Sequence, residues 1–455
     1  MDLAINNGKV VLPDSIVSIN IGIEKGIFSV FSLLPLKAEK TIDVSGNIIF
    51  PGIIDPHVHI DLETPRGNSK DDFKNASKVA AFGGITSFKT FVHPPPGKPE
   101  LLEKTIEKRM LSAERNSLID FSFHLNALDS SKETISTLKK YYRNGITNSI
   151  KVYSTYEMKI KDKELLDLLK TGLVILVHAE NDELVQGFTN DILSTGNLEM
   201  KYHAKARPGI CEANYALKAI QLAKHTKGKL YLVHQTTKES VNQLKDNLSF
   251  KNHIWGETCP HYLYFTEEKL EGPDGVLYSM TPPLRTKIDQ EGLWQGIKDG
   301  TLSTIGTDHC PFTPEEKHYG EKGIPFNKIA YGVMGMEELF PAIYTGAIKR
   351  DIPLTTLARL MSLNSSKIFD FYPKKGVIQI GSDADLFIFD PRFERTVKAE
   401  DMHTKANYSI YDGLKFQGWP KTVVSGGDIL IENYEIINEN YGRGKNIPLQ
   451  SKKDI

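Results

Sequence analysis

Two histidines at alternate positions are the first residues in this chain that could do chemistry. His57 and His59 follow the apolar pair Ile53 and Ile54 in the segment FPGIIDPHVHID, residues 50–61. Because side chains two apart on a strand point to the same face, both imidazoles can converge on one point. Neutral imidazole is a common ligand for zinc and similar cations. A strand end with two solvated histidines explains this segment alone equally well, so residues further along the chain must decide.

Other residues with the same potential end other short apolar runs. The candidates at or near the ends of predicted strands are His57, His59, Lys151, His178, His234 and Asp308. Each has an ordinary structural explanation on its own: a core histidine with satisfied hydrogen bonds, an aspartate that caps a helix, or a lysine whose stem reaches solvent. Their joint occurrence at corresponding strand ends favours a functional site.

Eight apolar runs would carry these residues. They span residues 53–60, 86–92, 121–125, 149–153, 173–178, 230–234, 254–258 and 304–308. Runs such as LVILVH are almost continuously apolar, as expected for parallel strands buried on both faces. Intervening segments such as 161–170 and 214–224 have the apolar spacing of helices. The pattern predicts a (β/α)8 TIM barrel with its active site at the C-terminal strand ends, and a doubly wound open sheet is the alternative.

Strand patterns without helices flank the predicted barrel. Short runs at 9–12, 15–23, 27–30 and 41–44 precede it, and runs at 376–380, 384–389, 422–424 and 428–432 follow it. We therefore predict one small β domain built from both chain ends. The predicted division is 1–50 for its N-terminal part, 51–370 for the barrel, 371–440 for its C-terminal part and 441–455 for an arm or tail.

Composition excludes several classes of function. The chain has 455 residues, with 56 Lys plus Arg against 57 Asp plus Glu, and no basic run that would suit nucleic acid or an anionic membrane. No segment resembles a signal peptide or a membrane span, so we expect a cytoplasmic protein. Cys211, Cys259 and Cys310 are odd in number and far apart, so a metal would have to be held by histidine and carboxylate.

Several motifs together resemble those of a known family. They are PGIIDPHVHID, SIKVYSTY, VHAEN, LVH, ETCPHYL, TPPLR, GTDHCPF and KKGVIQIGSDADLFIFDP. In order and spacing, from about residue 47 to about residue 444, the chain resembles the dihydropyrimidinase and hydantoinase family of cyclic amidohydrolases. The resemblance implies a (β/α)8 barrel with a small β-sandwich domain, assembled as a homo-oligomer, a tetramer or a dimer. It also implies two zinc ions bridged by a carboxylated lysine.

The resemblance assigns a role to each candidate ligand. His57 and His59 would bind the more buried metal, and His178 and His234 the more exposed one. Asp308 would bind the buried metal and act as general base toward a hydroxide that bridges the two ions.

Lys151 would be the bridging residue, as N6-carboxylysine. Burial and nearby cations lower the pKa of a lysine amine, and the neutral amine can add carbon dioxide. The two oxygens of the resulting carbamate can span ions about 3.5 to 4 Å apart.

The same resemblance suggests three substrate contacts. Tyr156 matches the family's tyrosine that helps hold the oxyanion, although a packed tyrosine at the barrel rim is an alternative. Thr281 stands where the family usually has serine, and Tyr331 where hydantoinases have asparagine. The expected substrate is a small neutral cyclic ureide, a dihydropyrimidine or a hydantoin, opened to an N-carbamoyl amino acid, and Tyr331 is expected to restrict large ring substituents.

Three other functions remain to be weighed. Allantoinase is a close alternative because the AYGVMG stretch, residues 330–335, is rich in glycine. Dihydroorotase is disfavoured because Asp61 stands where that enzyme typically has an arginine for the substrate carboxylate. A non-catalytic scaffold homologue is disfavoured because the full set of six metal ligands is present.

Overall fold

The computed structural model describes residues 1–451, so the last four residues of the predicted arm, 452–455, lie outside the described residues. Its strands are β1 (Leu3–Val11), β2 (Ile16–Glu24), β3 (Ile27–Ser32), β4 (Lys40–Asp43), β5 (Ile48–Pro51), β6 (Ile53–Val58), β7 (Glu63–Thr64), β8 (Gly67–Asn68), β9 (Ile85–Val92), β10 (Asp120–Asn126), β11 (Ser149–Tyr153), β12 (Val174–His178), β13 (Lys229–Leu232), β14 (Ile254–Thr258), β15 (Thr304–Ile305), β16 (Leu386–Thr396), β17 (Lys415–Ser425), β18 (Asp428–Glu432) and β19 (Glu435–Ile436).

The helices alternate with the strands through the middle of the chain. They are α1 (Phe73–Phe82), α2 (Leu102–Asn116), α3 (Lys132–Arg143), α4 (Asp162–Leu169), α5 (Asp182–Ser194), α6 (Tyr202–Ala206), α7 (Gly209–Thr226), α8 (Lys238–Lys245), α9 (Pro260–Tyr264), α10 (Lys287–Lys298), α11 (Leu339–Ile348), α12 (Leu354–Ala358) and α13 (Asn364–Ile368). One π-helical turn, Arg359–Leu363, joins α12 to α13. Short 3₁₀ turns lie at Pro99–Leu101, Leu248–Phe250, Glu267–Leu270, Pro273–Tyr278, Phe326–Lys328 and Ala399–Asp401.

A parallel eight-stranded sheet forms the barrel. Its strands follow chain order from β6 through β9–β14 to β15. The sheet turns back on itself, since Val58 bridges His309 in parallel and the His59 N–H donates to the His309 carbonyl over 2.8 Å. The predicted (β/α)8 barrel is thus confirmed. The doubly wound alternative is wrong, because that fold reverses its strand order and leaves two open edges.

Burial explains why these segments are strands. All eight residues of β9 and all five of β12 are buried, as parallel strands enclosed by helices require. The helices predicted at 161–170 and 214–224 correspond to α4 and α7. The predicted eighth strand is shorter than expected: regular pairing covers Thr304 and Ile305, and the chain turns at Asp308, whose φ is +50°.

The second large sheet contains both ends of the chain. Its order is β19-β18-β17-β16-β5-β1-β2-β3, with β4 beside β1. The N-terminal and C-terminal contributions meet where β5 pairs antiparallel with β16, for example Phe50 opposite Phe387. The expected small β domain is therefore a mixed sheet drawn from both termini. Its predicted boundaries in the sequence stay predictions.

The strand predicted at 376–380 is wrong. Gly376 and Gly381 have φ of +82° and +90°, which break an extended backbone at both sides of this segment. Beside it the buried Lys375 amine binds Asp383 and Asp385, at 2.9 and 2.7 Å. Val377 and Ile378 are buried, Ile380 is exposed, and the backbone of this segment bends instead of extending as a strand.

The described part of the C-terminal arm lies along the barrel. The Ile447 N–H donates to the Phe121 carbonyl over 2.8 Å, and the Leu449 N–H to the Gly145 carbonyl over 3.1 Å. Across residues 1–451, none of the helices is long and apolar enough to cross a membrane.

Candidate active site

Three of the predicted ligands meet at the C-terminal end of the barrel. Oδ1 of Asp308 lies 3.1 Å from His57 Nε2 and 3.0 Å from His59 Nε2. The possible ligand atoms of the three residues all lie within 4.8 Å of one another, a grouping that could hold a metal ion. The two histidines come from the end of β6 and the aspartate from the turn after β15. Barrel closure therefore brings together residues about 250 positions apart.

The chemistry of this group suits a cation. His57 Nε2 is buried and forms no hydrogen bond, whereas its Nδ1 lies 2.6 Å from Oε1 of Glu257. A carboxylate that holds the second ring nitrogen is the usual arrangement for a metal-binding histidine, because it fixes the tautomer and the ring orientation. The free nitrogen faces Asp308, so a cation could replace the proton there.

Electrostatics in the group point the same way. Burial alone would lower the pKa of His57, but the charges of Glu257 and Asp308 raise it to about 9. Burial alone would raise the pKa of Asp308, but His57 and His59 hold it well below its usual range. Glu257 and Asp308 therefore stabilise positive charge between them, whether it is carried by the His57 imidazolium or by a bound cation.

The second predicted pair of histidines lies beside the first. His178 Nδ1 and His234 Nε2 are 3.1 Å apart, and the rings of His57 and His234 lie 5.4 Å apart between centroids. His178 Nε2 contacts Oε2 of Glu180 at 2.7 Å, and Glu180 in turn forms a buried ion pair with Arg207. Burial lowers the pKa of both histidines, so both are neutral and able to act as ligands near pH 7.

Lys151 lies on β11 with only 1% of its surface exposed. Burial lowers its pKa to about 8, although Asp308 and Glu257 oppose the change. Its charge also helps to lower the pKa of His59, His178 and His234, so its amine lies near both histidine pairs. A lysine with this pKa is partly unprotonated near neutral pH, which is the form that can add carbon dioxide.

Strained backbone marks the same region. Tyr156, His234 and Asp308 have φ of +70°, +36° and +50°, values that non-glycine residues rarely adopt. Each such residue costs of order 1–3 kcal/mol, and such strain is concentrated at functional sites. Gly306 is required beside them, because an added Cβ would lie 2.8 Å from both Glu257 Oε2 and His57 Cβ.

The three predicted substrate contacts also come together. The Tyr156 ring lies 5.4 Å from that of His178, and the Thr281 side chain lies near enough to the Tyr156 hydroxyl to lower its pKa against the effect of burial. Thr281 Oγ1 lies 3.3 Å from His203 Nε2, and the His203 ring stacks on Tyr331 with centroids 4.5 Å apart. These contacts form a continuous wall that starts at the second histidine pair.

Several residues at this site were missed in the sequence. Glu257 holds both the His57 ring and, over 3.1 Å, the His234 N–H. It lies in β14, a strand whose end supplied no candidate, and its place in that strand was the available signal. Asp55 binds the N–H groups of His57 and Thr307, both at 3.1 Å, and so joins the first and last strands. Glu180 lies two residues after His178, in the VHAEN motif.

Comparison with known proteins finds one family and several similar enzymes. The amidohydrolase family matches residues 48–430. A D-hydantoinase from Rhizobium radiobacter is 35% identical over 440 residues, which is 95% of each chain. The crystal structure of a dihydropyrimidinase from Brevibacillus agri superposes with a TM-score of 0.94 at 30% identity, over 99% of this chain and 100% of that one. An L-hydantoinase from Arthrobacter aurescens superposes with a TM-score of 0.88 at 26% identity, over 98% and 99%.

Fold and site together define a barrel hydrolase, and the chain belongs to the amidohydrolase family. Within that family it belongs to the dihydropyrimidinase and hydantoinase group. It is an enzyme, a cyclic amidohydrolase, so the scaffold alternative is excluded.

Proposed function

We propose that the enzyme hydrolyses the cyclic amide bond of a dihydropyrimidine or a hydantoin to give an N-carbamoyl amino acid. The observation that carries this proposal is the convergence of His57, His59 and Asp308 beside the pair His178 and His234. Two divalent cations, which we expect to be Zn²⁺, would be held by these five side chains and by carboxylated Lys151.

The cations would supply one part of the chemistry: when bound, they would lower the pKa of water toward about 7 and polarise the ring carbonyl. The carboxylation of Lys151 would be an addition of its neutral amine to carbon dioxide, which forms a C–N bond and releases one proton. The low pKa of that amine supports this step.

Asp308 would move the proton. One carboxylate oxygen faces the two histidines, and the other remains to accept the proton of the attacking water. As the C–N bond of the ring breaks, the same carboxyl would return this proton to the leaving nitrogen. The suppressed pKa of Asp308 keeps it ionised, as a base must be before the reaction begins.

Tyr156 would donate a hydrogen bond to the developing oxyanion. Burial raises the pKa of its phenol, so the proton stays in place at neutral pH. Thr281 and Tyr331 would hold the ring through main-chain groups, since in residues 1–451 neither of their N–H groups donates to a protein acceptor. These donors suit the carbonyl oxygens of a neutral ureide.

Charges around the wall also favour a neutral ring. Arg207 stacks over Tyr156 at 5.2 Å, but its charge is balanced by Glu180. Asp61 is paired with Arg109 at 3.8 Å and offers a substrate carboxylate no cation. Arg66, 5.1 Å from the Tyr331 ring, lies exposed at the rim.

A hydrolysis assay tests the proposal. The protein is loaded with zinc, its metal content is determined by atomic emission, and hydantoin, dihydrouracil, allantoin and dihydroorotate are compared by kcat/KM. We expect about two metals per chain and fastest turnover of hydantoin or dihydrouracil. Faster turnover of allantoin or dihydroorotate would overturn the assigned substrate, and a failure to bind metal would overturn the site.

We further propose a cytoplasmic homo-oligomer, a tetramer or dimer, that needs no nucleic acid or membrane partner. The balanced charge of the chain supports the last part. Light scattering on the eluting protein measures the assembly, and a monomer would contradict it.

A further inference from the structure

A buried lysine outside the metal site has no carboxylate partner. Lys317 follows the barrel's last strand, has none of its surface exposed, and forms no ion pair within residues 1–451. Its Nζ donates to the Ser279 carbonyl over 2.9 Å, to the Ser279 hydroxyl over 2.7 Å and to the Ala330 carbonyl over 3.3 Å. Burying an amine in this way is costly, so its retention calls for a reason.

The acceptors of this lysine belong to the two segments that carry the ring contacts. Ser279 precedes Thr281 by two residues, and Ala330 directly precedes Tyr331. The segments also bind each other, since the Ser279 hydroxyl donates to the Ala330 carbonyl over 2.8 Å and the Gly332 N–H donates to the Ser279 carbonyl over 2.9 Å. Lys317 therefore holds together the two segments that carry Thr281 and Tyr331.

We propose that Lys317 is a positioning residue for ring recognition, which sets the separation between the main chain of Thr281 and that of Tyr331. This inference rests on the proposed function. The hydrogen bonds of Lys317 Nζ within residues 1–451 go to Ser279 and Ala330 and not to a predicted metal ligand, so Lys317 would act through these two residues. Its loss should therefore weaken ring binding while the metal-binding residues keep their geometry.

Most of these contacts are available in either protonation state of the lysine: the charged amine can donate to all three acceptors, and the neutral amine to two of them. Burial lowers the pKa of Lys317 to about 7. The role therefore does not require a particular charge.

A second buried lysine supplies a matched control. Lys89 on β9 also has none of its surface exposed, and its Nζ donates to Ser122 Oγ, the Phe123 carbonyl and Thr147 Oγ1 over 3.0 to 3.4 Å. These partners lie toward the N-terminal ends of the strands, away from the ring contacts. Removal of either amine breaks the same number of buried hydrogen bonds, and only one removal should change ring binding.

The test compares Lys317→Met, Lys89→Met and the wild type in kcat, KM, metal content and melting temperature, with hydantoin and dihydrouracil as probes. Loss of a buried hydrogen-bonded group predicts that Lys317→Met raises KM about 10-fold or more, with kcat within about 3-fold. Both variants should keep the metal content of the wild type. Lys89→Met should lower the melting temperature and leave KM within about 2-fold of wild type.

Ser279→Ala and the double variant Lys317→Met with Ser279→Ala test whether Lys317 acts through Ser279. If Lys317 acts through Ser279, the KM effects of Lys317→Met and Ser279→Ala should be less than additive. Should Lys317→Met fail to fold, Ser279→Ala alone carries the test, with an expected rise in KM of about 3-fold or more.

Three results would overturn the proposal. One is a KM for Lys317→Met equal to that of Lys89→Met, another is a loss confined to kcat, and the third is an unchanged KM for Ser279→Ala if Lys317→Met does not fold. A wild type inactive on every ring would instead overturn the proposed function and this inference with it.

Discussion

Replacement of Asp308 by asparagine separates metal binding from proton transfer at the barrel's C-terminal end. Asp308 Oδ1 is the oxygen nearest both His57 and His59, at 3.1 and 3.0 Å. The amide of asparagine has the same shape and keeps one oxygen for a cation. It has no basic oxygen at neutral pH, so it cannot accept a proton from water.

The expected loss follows from that difference. Removal of a general base typically lowers the rate by about 10²- to 10⁴-fold, which is about 2.7 to 5.4 kcal/mol in the activation barrier. Metal affinity should fall as well, because one of the negative charges near the cations is lost. We therefore expect Asp308→Asn to bind at least one metal per chain at saturating zinc and to lose at least about 100-fold in kcat.

The assay measures kcat on hydantoin and metal content on the same sample. Wild type stripped of metal and reloaded serves as the control for handling, and circular dichroism checks the fold. An Asp308→Asn variant with two metals and a kcat within about 3-fold of wild type would refute the assignment of Asp308 as the base. A variant that folds but binds no metal would show instead that the carboxylate is chiefly a ligand.

Three further predictions concern the bridge, the pocket wall and a buried acid. Lys151→Ala should lose one or both metals and nearly all activity, with partial rescue by a short added carboxylic acid; retention of two metals and normal turnover would contradict the bridge. Tyr331→Asn removes a ring whose hydroxyl donates to the Phe326 carbonyl over 2.8 Å, so kcat/KM for bulky 5-substituted hydantoins should rise relative to hydantoin, and an unchanged ratio would count against this residue as the restriction. Burial raises the pKa of Glu338 to about 7 from 4.5, so its contribution to stability is present in full below pH 4.5 and is lost as pH rises through 7. The change in the free energy of unfolding caused by Glu338→Gln should therefore be more favourable at pH 8 than at pH 5, by roughly 1–3 kcal/mol. Urea unfolding of the variant and the wild type at both pH values measures this difference, and an equal change at the two pH values would contradict the raised pKa.

The barrel could be predicted from the sequence because its strands are buried on both faces. An almost wholly apolar run such as VILVH in β12 is typical of a buried strand. Its last residue, His178, then lies at the C-terminal end of the barrel, where the active sites of such barrels are found. The six ligand candidates could be identified from their places at the predicted strand ends and from the resemblance to a family. Their roles as ligands remain predictions.

The contacts that orient these side chains could not be predicted in the same way. Glu257 and His57 are 200 residues apart, and their contact depends on strand register and on the turn at Gly306. The order of residue types along the sequence gives neither the strand register nor the shape of this turn. The strand predicted at 376–380 failed for a related reason: its apolar residues match a strand, but its backbone bends at Gly376 and Gly381, and the preceding Lys375 is buried by an ion pair with distant Asp120.

The pairing of β5 with β16 has a consequence for the synthesis of the chain. Phe50 in β5 pairs with Phe387 in β16, so the pairing partner of β5 is synthesised roughly 340 residues after it. At about 5–20 residues per second, a ribosome takes roughly 17–70 s to supply it. Through that interval the edge of β5 that pairs with β16 in the folded protein has no native partner, and an unpaired strand edge can pair with other chains. The barrel between the two strands is complete before the small sheet can close, so expression conditions that slow translation should raise aggregation of this enzyme and make its yield depend on chaperones.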